Sequence, residues 1–133
     1  MFLKKRCVFV YIFYLLPLIF LVESCDDSTT INQIDQTIIP SSNVSFSQHI
    51  QPVLIAKCAY SGCHDESANG NIVLTNYYGV VSNPIIIVKY TPQNSKLIQI
   101  IKKQVQHSAP FLSFNDNQIA GFETWVKEGA QNN

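Results

Sequence analysis

The chain has 133 residues, with nine Lys/Arg against nine Asp/Glu, four cysteines and one methionine. This length fits a single small domain once any export segment is set aside. Balanced charge leaves no basic footprint, so nucleic acid is not an expected partner.

The first segment, "MFLKKRCVFVYIFYLLPLIFLVESC", opens with Lys4, Lys5 and Arg6 and then runs apolar from Cys7 to Val22. A basic start followed by an apolar core reads as a secretory signal. Pro17 interrupts the run and no second apolar stretch follows, which disfavours a retained spanning helix. The segment ends in Ser24-Cys25, with Glu23 where a small residue is usual. This ending resembles the lipobox of bacterial lipoproteins. The resemblance implies a signal peptide over 1–24, acylation at Cys25, and a lipid anchor in the cell envelope, facing the periplasm or on the outer membrane surface. The bland reading is an ordinary signal with Cys25 a bystander. From Cys25 onward the chain keeps six Lys/Arg against eight Asp/Glu.

Residues 26–44, "DDSTTINQIDQTIIPSSNV", are polar and lack sustained helical periodicity. They read as a tether, so 25–44 is expected to link the membrane to a domain over 45–133. That domain begins with "SFSQHIQPVLIAKC", where Phe46, Ile50, Val53 and Leu54 fall on one helical face and Ser45 or Ser47 can cap it. Pro52 is tolerated near a first turn and would kink the helix otherwise. A short helix is expected around Asn76–Val81. "IIIVKYT", 85–91, has β-branched composition but is expected to be an extended connection. "PQNSKLIQIIKKQ" predicts a further helix, with Pro92 near its start and Lys102 and Lys103 in its last turn. The final helix has an apolar stripe of Ile119, Phe122, Trp125 and Val126, with Ser113 and Asp116 as an expected capping box and Gly129 as its stop. Together these predict an all-α domain of three to four helices. So small a domain usually needs a staple or cofactor.

"KCAYSGCHDE" supplies candidates for both. Cys58, Cys63 and His64 form a C-x₄-C-H cluster. Covalent haem needs two thiols and a following histidine, usually as C-x-x-C-H. The longer spacing here requires an outward loop, and Ser61-Gly62 provide a bend for it. Zinc would want a second ligand pair, and His49 and His107 are isolated in sequence. A Cys58–Cys63 disulfide suits an oxidising compartment but leaves His64 unexplained. All three chemistries remain open from the cluster alone.

Four further pieces occur in order: "FSQHIQPVLIAKC", "IVLTNYYGVV", "PQNSKLIQII" and "LSFNDNQIAGFETWVKEGA". From Phe46 to Ala130 this pattern resembles single-haem cytochrome c domains of exported bacterial proteins. The resemblance implies a cytochrome c-like fold around one haem c, held covalently by Cys58 and Cys63 with His64 as proximal iron ligand. It also implies that the first and last helices cross, bringing Ile50, Leu54, Phe122 and Trp125 together.

Where that family commonly carries Met-Pro before the last helix, this chain has Ala109-Pro110, and its one methionine, Met1, leaves with the signal. His107 is therefore the candidate distal ligand, ahead of His49 or Lys102. The expected function is a membrane-tethered electron carrier serving a redox partner protein in the envelope, not an enzyme. An open sixth iron site would instead permit ligand binding or peroxide chemistry. The alternative from another class is a non-haem envelope lipoprotein with a Cys58–Cys63 disulfide and a binding or scaffolding role.

Overall fold

A computed structural model describes residues 31–67, 72–109 and 111–133. The expected signal peptide, Cys25 and Pro110 lie outside the described residues. Among the described residues the regular structure is helical with no strand. Helix α1 spans Ile31–Gln36. A π-helical turn, Phe46–Ile50, runs into α2, Gln51–Lys57. Helix α3 is Tyr77–Val81, a 3₁₀ turn at Pro92–Asn94 leads to α4, Lys96–Ile101, and α5 is Asp116–Lys127.

Local sequence sets these boundaries. Ser45 caps the π turn, its hydroxyl accepting from the Gln48 backbone N–H. Pro52 falls in the first turn of α2, where its missing N–H costs no helical bond. Asn76 caps α3 by accepting from the Gly79 N–H. The capping box of α5 is Asn115 with Gln118, not the expected Ser113 with Asp116. Asn115 suits the role because its short amide reaches the Gln118 N–H at 2.8 Å, while Gln118 Oε1 returns to the Asn115 N–H at 3.1 Å. At the far end, Gly129 (φ +96°) and Ala130 donate to the Val126 and Trp125 carbonyls, which makes a Schellman stop.

The core is one cluster in which Ile50, Leu54, Phe122 and Trp125 are all fully enclosed. Helix α5 packs on the π turn, with the Phe46 and Trp125 rings 5.5 Å apart. Tyr77 meets Phe46 edge-on at 5.3 Å and donates to the Ala130 carbonyl, fastening α3 to the end of α5. The segment 85–91 holds turns at 85–86 and 89–90 around a short irregular stretch rather than one extended run.

The tether expected over 25–44 is corrected from Ile31 onward. Ile34, Ile39 and Val44 are buried in the main core. Asn117 brackets Ile39, accepting from its N–H at 2.8 Å and donating to its carbonyl at 3.0 Å. Glu128 accepts from the Asn43 and Val44 N–H groups with its two carboxylate oxygens. Residues 31–44 are thus a strap bound along α5. Isoleucines too widely spaced to show a period here serve as separate anchors instead of a helical stripe.

Gly121 explains how close the strap lies. A Cβ at this position would come within 2.4 Å of Ile39 Cγ2. Only glycine permits that approach in mid-helix.

Candidate functional site

Helix α2 ends at Cys58, whose N–H donates to the Leu54 carbonyl. Beyond it the chain turns over Ser61–His64, with Gly62 at φ +79°, a conformation glycine adopts without penalty. The turn is closed by the Cys63 N–H donating to the Tyr60 carbonyl at 2.8 Å. Cys58 is half-buried, Cys63 exposed and His64 half-buried.

These three residues share one apolar crevice with His107. Leu74, Ile100, Ile101 and Phe111 supply its walls. Sequence spacing separated His107 from the cluster by more than forty positions. The fold brings its ring centroid to 5.9 Å from that of His64, with the planes inclined by 50°. A separation of this size is an ordinary contact between two rings.

Hydrogen bonds fix both tautomers. His64 Nδ1 lies 2.7 Å from the Ile72 carbonyl and His107 Nδ1 2.6 Å from the Ala109 carbonyl. A carbonyl only accepts, so each Nδ1 carries a proton, and the lone pair of the neutral ring is then on Nε2. The longer contact from the Ala109 N–H to His107 Nδ1, 3.4 Å, cannot form at the same time.

Burial pushes the Cys58 thiol up to about 12, against a smaller opposing pull from the Lys57 ammonium. The two sulfurs are unbonded to each other, so the disulfide alternative is not formed here. Among the described residues no set of three metal-ligating side chains is grouped as zinc would need. His49 does not line the crevice. Its Nδ1 accepts from the Ser45 N–H at the opposite end of the first helical segment. Lys102 is engaged by Glu123 at 2.6 Å.

One residue went unread in the sequence. Lys57 is 1 % exposed, donates to Asp35 Oδ1 and to the Ser113 carbonyl at 2.6 Å each, and stands 5.4 Å from the centre of the Phe114 ring. It lines the crevice beside Cys58. Its position, four residues after Val53 and three after Leu54, puts it on the buried face.

Two thiols, two imidazoles and apolar walls are the donor types that a covalently held haem uses. The crevice itself encloses only about 40 Å³. A porphyrin needs several hundred Å³, in the range of ordinary ligand sites of about 300–1,000 Å³. The crevice as it stands is therefore too small to enclose a porphyrin. The loop that follows α4 also borders an open hollow of about 680 Å³, which shares Ile100, His107, Ala109 and Phe111 with the crevice. The loop is packed through His107, whose ring meets Phe111 edge-on at 5.4 Å.

Comparison with family models, curated proteins and solved structures returns no match to this chain.

Proposed function

We propose that this protein is a membrane-tethered c-type cytochrome that carries single electrons through one covalent haem. The observation that carries the reading is the meeting of Cys58, Cys63, His64 and His107 on one apolar crevice, with the imidazoles 5.9 Å apart.

Cys58 and Cys63 would hold the haem through thioether bonds. His64 would bind the iron from the proximal side, its ring orientation fixed by the Ile72 carbonyl. His107 would bind from the other side. When bound, the haem supplies a one-electron ferric/ferrous couple. Leu74, Ile100, Ile101 and Phe111 would give the group an apolar surround. A second imidazole in place of methionine sets a lower potential. The proposed role is electron transfer to a partner protein in the envelope, with Cys25 as the lipid anchor.

A visible spectrum of the protein matured in a host competent for haem attachment tests the reading. A Soret band with α and β bands on reduction is expected. A featureless visible region would refute it.

A further inference from the structure

The strap changes what the anchor can do. Had residues 25–44 been a free tether, the domain could wander about 70 Å from the membrane at full extension. Bound from Ile31 onward, only five residues, 26–30, lie between Cys25 and the described domain. They span at most about 20 Å.

The strap is held at four points. Lys57 binds Asp35, Asn117 brackets Ile39, Glu128 grips Asn43 and Val44, and buried Gln118 donates to the Ile34 carbonyl at 3.2 Å. Its outer surface has a distinct chemistry. From Ser28 to Gln48 the single ionisable side chain is Asp35, and Lys57 neutralises it. Along the strap Ile38 is 79 % exposed and Ile31 43 % exposed, and the Glu128 carboxylate is taken up by the Asn43 and Val44 N–H groups. The remaining charges from Cys25 on, apart from Asp26 and Asp27, lie elsewhere in the chain.

We propose that this face, centred on Ile31 and Ile38, rests on the headgroup surface of the membrane that holds the chain. The inference rests on the anchor at Cys25 proposed above. An isoleucine entering the interface gains by leaving water, and the short reach from Cys25 holds the strap near the headgroups. The acyl chains and the strap together form two attachments, which fix the domain's orientation where a single lipid would let it turn. The crevice then addresses partners at a set height, within the membrane or close to it.

The test uses the acylated, haem-loaded full chain in vesicles of phosphatidylethanolamine and phosphatidylglycerol. Single variants Ile38→Cys and Ile85→Cys are labelled with a charged, membrane-impermeant maleimide. Ile85 serves as reference because it is 66 % exposed and lies outside the strap. Rates are read by peptide mass and normalised to the same protein unfolded in urea. Position 38 is expected to react several-fold more slowly than position 85 in floated vesicles. Equal rates in protein that does float would overturn the contact while leaving the anchor intact. Failure to float would overturn both. Protection at 38 that disappears as the protein-to-lipid ratio falls would report a second copy on this face and overturn the membrane assignment.

Discussion

Lys57 Nζ and Asp35 Oδ1 lie 2.6 Å apart, joining the last turn of α2 to the strap directly behind the candidate haem crevice. The lysine is enclosed and the aspartate is partly open to water, so the two contribute unequally. An enclosed ammonium is strongly destabilising without its partner, whereas an exposed carboxylate is readily hydrated. Asp35 is therefore held for the sake of Lys57.

Asp35→Asn is expected to lower stability at neutral pH by about 2 kcal/mol, below the usual cost of breaking a wholly buried pair because Asp35 is half-open. The hydrogen bond from Lys57 holds the Asp35 carboxyl below its ordinary value of 3.8, with Gln118 assisting. A depressed native value means that the pair's contribution is complete above the unfolded value, near pH 4, and is lost as pH falls through the lower native one. Urea midpoints measured from pH 6 down to pH 2 should fall less steeply for Asp35→Asn than for the wild type.

Gly121→Ala places a methyl group against Ile39. The clash is expected to cost about 1–3 kcal/mol, the usual penalty for overpacking. Adding Ile39→Ala removes the obstructing atoms, so the double variant should be more stable than the sum of the single losses allows. Strict additivity would show that the strap does not lie against α5 at this point.

In protein made without haem attachment, the two crevice thiols should differ in reactivity. Cys58 is half-buried with its thiol pushed up to about 12, while Cys63 is exposed. The thiolate is the reacting species, so iodoacetamide at pH 8 should modify Cys63 well before Cys58. Peptide mapping over time reads the order. Equal rates would mean that α2 does not enclose Cys58.

His107→Ala removes the second imidazole. The ferric wild-type protein is expected to be low-spin, and the variant to become high-spin and bind added imidazole or cyanide far more readily. A variant spectrum identical to wild type would show that another ligand, or none, occupies that side of the iron.

Much of the helical domain was legible because its apolar residues recur at helical spacing. Phe46, Ile50 and Leu54, and likewise Phe122, Trp125 and Val126, are enclosed as the period implies. The Ser45 cap and the Gly129 stop follow from local chemistry alone. The strap was not legible, since Ile34, Ile39 and Val44 follow no period and their partners, Asn117 and Glu128, lie about eighty residues away. The true capping box escaped notice because Asn115 competed with an equally plausible serine. In the candidate site, Cys58, Cys63 and His64 announced themselves by adjacency. His107 was reached through the missing methionine, and its approach to His64 depends on a loop path that no local pattern encodes.

Acidified-acetone extraction of the protein matured in a haem-attaching host tests the central claim most directly. Thioether bonds through Cys58 and Cys63 would keep the colour with the precipitated protein, and its mass should exceed that of the polypeptide by one haem. Changing both cysteines to alanine should abolish this. Colour passing into the acetone, or a colourless protein from the same host, would contradict covalent haem at this site.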